Sequence, residues 1–415
     1  MAILNHMRLR TAPLLAIALA ACDAGDARVT APEGSSAFGR FVTIGTGFTM
    51  GEQAGGVVYE TQLAAWPARL AGRMSAGFRV PAFRQPGCTP PLVAPLALRR
   101  TLEGPISGTS TCAGKLGVDT LPGNNLAISG ATAWDALHVS PRTFAGLAPT
   151  LDQARYALVL PPTQTQLQAL QSSRPTLMSV ELGAGEVMRA ATTGLVTVGT
   201  GYTQKTAWTL MPASVFKAVF DSLADSVAAT GARGVFIGVP PLTSLPAWRS
   251  GDVLWQQRAD LAANGIAVAA DCAASTNVVN TVALIPALAA AARRTGRAQP
   301  LSCADRPGVA DYILTAGDVQ LISQTVTAIN AVIKAAADRH QFAYADTPLY
   351  STMMPFAAPQ FTATQLLGND QPFGMATSLD GFFFSAYGHD LMADVVAGAL
   401  NQKYGWKIPI PVRPL

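Results

Sequence analysis

An apolar strand that enters a glycine-rich turn and then a helix can expose a serine as a nucleophile. The chain has such a segment, Phe41-Val-Thr-Ile-Gly-Thr-Gly-Phe-Thr-Met-Gly51, followed by Trp66-Pro67 at a helix start. Its turn carries Gly47, which has no hydroxyl. Thr46 and Thr49 flank it with hydroxyls, but either would need a base. The histidines available beyond the N-terminal segment are His138, His340 and His389. His389 follows Asp380 and opens a helical run, which makes it a packing or helix-start residue, with a relocated base as its rival reading. His138 and His340 read as surface or capping residues. Cys88, Cys112, Cys272 and Cys303 form an even set, which in an exported chain reads as disulfides with three possible connectivities. The sequence-near pairing, Cys88–Cys112 with Cys272–Cys303, is the one expected. Each bridge would close a loop of about 25–30 residues, worth roughly 3 kcal/mol. No CxxC or histidine cluster accompanies these cysteines, so no metal site is expected, and nothing in the chain calls for a cofactor.

The elements that must position these residues alternate. Apolar, β-branched runs at 41–45, 126–129, 176–182, 234–239 and 342–345 read as core strands. Helical patterns cover 61–71, 211–229, 253–264, 316–340 and 386–403. Strands spaced by helices predict a parallel sheet with helices on both faces. Two stretches read as disulfide-pinned insertions: 73–123, rich in Pro and Gly, and 270–310, around the alanine-rich run Ala287–Arg294. A single domain is expected over 40–405, with a tail at 406–415.

The N-terminus reads as a targeting signal. Arg8 and Arg10 precede the apolar run Ala12 to Ala21, which ends in Leu19-Ala20-Ala21-Cys22. The run is too short to span a bilayer comfortably. Small residues before a cysteine resemble a bacterial lipobox, which implies that residues 1–21 are a removable signal peptide and that Cys22 is lipidated. Residues 22–39 then make a flexible tether. The expected location is the periplasmic side of the cell membrane, with the outer membrane or cell surface as alternatives and a membrane lipid anchor through Cys22. The formal charge is +4, and removing residues 1–21 takes away Arg8 and Arg10 and no acid. That balance gives no argument for nucleic acid. Charged residues are only 13% of the chain, roughly half the usual share of about 25%, which suits a surface covered by partners.

The order of these segments resembles the SGNH/GDSL hydrolase superfamily, in particular its bacterial lipoprotein branch, over nearly the whole chain beyond Cys22. Gly45-Thr46-Gly47-Phe48-Thr49-Met50-Gly51 is similar to that branch's G-N-S-L-T-A-G block. Asn125-Leu126-Ala127-Ile128-Ser129-Gly130-Ala131 is similar to the second block, which carries an oxyanion glycine. Gly183-Ala184-Gly185-Glu186 sits where the family has G-x-N-D. Val239-Pro240-Pro241-Leu242-Thr243-Ser244-Leu245-Pro246 is similar to I-P-D-V-T-x-I-P. The run from Ser378 through Asp380 and Phe383 to His389 is similar to S-L-D-G-V-H-P-S-x-x-G-H, and Lys403-Tyr404-Gly405-Trp406-Lys407-Ile408-Pro409 matches the family's ending.

The resemblance implies a three-layer α/β/α, flavodoxin-like fold with a five-stranded parallel sheet in the order 2-1-3-4-5. It also implies where the chemistry would be. The nucleophile position is Gly47, the base position is Phe383, and the oxyanion asparagine position is Gly185; Gly130 and Asp380 remain. Loss of a triad nucleophile or base costs on the order of 10⁶ in kcat in a known serine protease. The chain is therefore expected to be a non-catalytic SGNH-fold lipoprotein, a structural or binding subunit of a membrane-protein complex. The resemblance extends to the periplasmic SGNH-like accessory subunit of a bacterial photosynthetic reaction-centre complex. The alternatives are an esterase or lipase with relocated catalytic residues, and a carbohydrate- or lipid-binding module using the same cleft.

Overall fold

The structure, a computed structural model, describes residues 35–106, 112–117, 121–148, 150–202, 209–346 and 361–412. Cys22, the expected signal peptide and most of the expected tether lie outside them. The central sheet contains β1 (Phe41–Gly45), β2 (Leu177–Glu181), β3 (Arg233–Ile237) and β4 (Ala343–Ala345), all parallel and hydrogen-bonded in that order. Residues 124–128 add a fifth, edge segment. Thr43 N–H donates to Asn124 O at 2.8 Å, Leu126 N–H to Thr43 O at 2.8 Å and Ile128 N–H to Gly45 O at 3.0 Å. With that segment counted as second in sequence, the order is the expected 2-1-3-4-5.

Six helices frame the sheet: α1 (Trp66–Arg73), α2 (Ala133–His138), α3 (Gln166–Ser172), α4 (Ala213–Ala228), α5 (Ala316–Arg339) and α6 (Ala386–Tyr404). Helix α6 packs on α1 and on β3 and β4, while α2, α3, α4 and α5 pack among themselves and on β1 and β3. Every residue of β1 and β2 is buried, as expected of parallel strands covered on both faces. The expected three-layer α/β fold is the one found.

Helix starts follow from local chemistry. Thr132, Thr165 and Thr315 each accept a bond from the backbone three residues on, in capping boxes. Ser385 caps α6 by accepting from Gly388 N–H at 3.1 Å. The helix expected over 61–71 is two helices, Tyr59–Ala64 and α1, because Ala65 is extended (φ −61°, ψ 145°). Pro67 then sits in the first turn of α1, where its missing N–H costs nothing.

The disulfides pair as expected, Cys88–Cys112 and Cys272–Cys303. The first ties down a short antiparallel meander of Leu92–Val93, Arg100–Thr101 and Gly104–Pro105. The second lies in a separate apolar cluster that includes Leu254, Leu261, Ile285, Leu301 and Phe373. There, Ile266–Val268 pairs in parallel with Gln299–Leu301, beside the helix Thr281–Thr295.

Candidate active site

β1 ends in Gly45 and passes through Thr46 into a single helical turn, Gly47–Met50. This short turn delivers Glu52 to the space beside Gly47. A Cβ added at Gly47 would collide with Glu52 Oε2 and lie 2.8 Å from a ring carbon of Phe383. The volume that a serine side chain would need is therefore filled by a carboxylate and an aromatic ring. Glu52 is 7% exposed. Its Oε2 accepts a hydrogen bond from Ser129 Oγ. Ser129 ends the edge segment beside β1, so the pair comes from the C-terminal ends of neighbouring strands, where such sheets place their sites.

Burial pushes the Glu52 carboxyl above its usual range; the charge of Arg155 and the Ser129 hydrogen bond pull it down, and Asp380 pushes it up. Asp380 is held by backbone: its Oδ1 accepts from Phe382 N–H at 2.7 Å and Phe383 N–H at 2.8 Å, and its Oδ2 from Gly55 N–H at 2.6 Å. Burial raises its pKa, and those backbone bonds oppose the rise. Glu52, Ser129, Gly130, Gly185, Asp380 and Phe383 all line one cleft of about 510 Å³, together with Arg155 and Arg189. That volume falls within the range of small-molecule sites, about 300–1,000 Å³.

Gly47, Gly130, Gly185, Asp380 and Phe383 are thus brought together, as the resemblance implied. Gly185 has no room for the asparagine side chain, since its Cβ would collide with Ala131 O. Phe383 packs on Phe48, ring centroids 4.9 Å apart. Glu186 points away from a catalytic role: its Oε1 accepts from Ala133 N–H at 2.7 Å and Tyr202 OH at 2.8 Å, tying the start of α2 in place.

The other candidates lie elsewhere. His389 is fully buried, and its Nδ1 accepts from Trp66 N–H at 3.3 Å. Burial first, then the charge of Arg69, pulls its pKa down to about 3, so the ring is neutral. It is a packing residue between α6 and α1, not a relocated base. His138 is exposed beside Trp134, and His340 meets Asp225 at 2.8 Å on the surface. Thr46 is buried, its hydroxyl 2.8 and 2.9 Å from the Glu181 carboxylate oxygens. Asp271 lies near Cys272 and Cys303, but both sulfurs are in a disulfide and cannot act as thiolate ligands.

No family model and no curated protein matches the chain. Solved structures of similar architecture include an extracellular lipase from Streptomyces rimosus, 15% identical over 87% of this chain and 99% of that one, at a TM-score of 0.38. A phospholipase A1 from Streptomyces albidoflavus is 14% identical over 87% and 99%, also at 0.38. Axe2, an acetylxylan esterase from Geobacillus stearothermophilus, is 11% identical over 90% and 97%, at 0.37.

The expectation of a non-catalytic subunit that is not an enzyme is corrected here. The cleft is not emptied of chemistry. A hydroxyl bonded to a carboxylate stands in it, supplied by two residues that the sequence reading passed over. Glu52 follows Gly51 directly and Ser129 precedes Gly130. A search for a hydroxyl at the second strand end, and not only the first, would have found Ser129.

Proposed function

We propose that the protein is a carboxylic-ester hydrolase of SGNH/GDSL type in which Ser129 and Glu52 do the work assigned elsewhere to serine and histidine. The observation that carries this reading is the hydrogen bond from Ser129 Oγ to the buried Glu52 carboxylate inside the cleft. Glu52 takes the proton as Ser129 Oγ bonds to the ester carbonyl carbon. The C–O bond to the alcohol then breaks, and the alcohol leaves with the proton from Glu52. Water repeats the sequence on the acyl-enzyme and releases the acid. Arg155 and Arg189 add positive potential to the cleft in which the oxyanion develops. His389 takes no part.

The exported, lipid-anchored state belongs to this proposal. It is supported by the Leu19-Ala20-Ala21-Cys22 pattern and by two disulfides, which suit an oxidising compartment.

The test is turnover of p-nitrophenyl butyrate. Ser129→Ala and Glu52→Gln should each lower kcat by about 10³-fold or more, while His389→Gln keeps kcat within about threefold in folded protein. Wild-type turnover that survives Ser129→Ala, or no wild-type turnover on any short-chain ester, overturns the proposal.

A further inference from the structure

A second cavity, of about 270 Å³, is also lined by Asp380 and Phe382. The two disulfide-pinned regions build it. The meander contributes Leu92, Leu96 and Ile106, and the helix Thr281–Thr295 contributes Val282, Pro286 and Ala287. An Arg293 guanidinium bond to Ala97 O joins the two walls.

Its polar groups differ in what remains free. The Asn280 side chain is used by Ala283 N–H and Thr192 O, and Asp380 by the three backbone donors already described. Arg99 is the exception: among the described residues its guanidinium has no hydrogen bond or ion pair, although it lines the cavity. The same meander exposes Leu98 (58%), Leu102 (44%) and Ile106 (43%) to solvent. An apolar slot, an unpaired cation and an apolar rim are complementary to a molecule with one alkyl chain and one anionic end.

We propose that this cavity binds a medium-chain fatty carboxylate, its alkyl chain between the meander and the Thr281–Thr295 helix and its carboxylate on Arg99. A guanidinium meets a carboxylate with two parallel donors, and a cavity just below about 300 Å³ suits a short chain better than a long one. The site stands on these residues alone and does not depend on Ser129 chemistry.

Calorimetric titration of the full chain with hexanoate, octanoate, decanoate and dodecanoate tests it. Affinity should rise about three- to fourfold per methylene until the cavity is filled, and then level off. Arg99→Gln should weaken octanoate by about tenfold or more and leave octanol unchanged. Ala287→Phe, at a half-buried position that lines the cavity, should abolish binding with the circular dichroism unaltered. Ser129→Ala should bind octanoate like the wild type whether or not esterase activity exists. If no acid of the series binds saturably, if Arg99→Gln binds octanoate like the wild type, or if Ser129→Ala abolishes binding, the proposal is overturned.

Discussion

At the scale of single residues, the proposed chemistry depends on a carboxylate that must be ionised to accept a proton. Burial holds the Glu52 pKa above the usual carboxylate range, and Arg155 pulls it back. The ester kcat/KM should therefore rise with pH over a range above that of an exposed glutamate, because the base is inactive while protonated. Arg155→Leu removes the charge that favours ionisation, so its rising limb should move to higher pH. The pH–rate profiles of the two proteins check this; superimposable limbs would mean that Glu52 is not the base. Arg155 has a second partner, Asp152 at 3.3 Å, whose own side chain is half exposed and does not need the arginine in order to stay solvated.

At the scale of elements, the strands were legible and the site was partly so. β1 was read at its observed bounds, and β2, β3 and β4 within one or two residues, because each is an apolar run long enough to be buried on both faces. Gly47, Gly185 and Phe383 could be placed because short blocks fix their position on a strand end. Glu52 and Ser129 could not be paired in this way. They lie 77 positions apart, and only the ladder of residues 124–128 along β1 brings the two turns together.

The same geometry produces a buried acid at the end of β2. Glu181 accepts from Thr46 N–H at 2.9 Å, and burial raises its pKa from 4.5 to about 7. A raised folded pKa means that the native state holds the proton more tightly. Its stabilising contribution is therefore full below about pH 4.5 and is lost as pH rises through about 7. His389, lowered from 6.5 to about 3, acts in the opposite sense, its contribution being lost as pH falls through that interval. Between pH 5 and pH 8 the wild type should lose on the order of 1–3 kcal/mol relative to Glu181→Gln. Urea denaturation at the two pH values measures the difference; parallel behaviour would show that Glu181 ionises alike in folded and unfolded chains.

At the scale of the whole molecule, the proposed anchor and the proposed catalytic pair are separable in sequence. Cys22 lies 19 positions before Phe41, where the sheet begins, and the described residues that line the cleft run from Glu52 onward in sequence. Cys22→Ser should move the protein from the membrane to the soluble periplasmic fraction with kcat unchanged within about twofold. Fractionation followed by ester assay decides this, and a variant that stays with the membrane would remove the lipid anchor from the proposal. The packing around Gly47 also bears on the order in which this molecule could change. A serine at position 47 is a small step in sequence, yet its Cβ would meet Glu52 and Phe383 at once, at a cost of about 1–3 kcal/mol for overpacking. Replacing Glu52 first would relieve its contact with that Cβ, but on the proposed mechanism it would remove the base from Ser129. On that mechanism, each single step toward a serine at the first turn lowers either stability or activity.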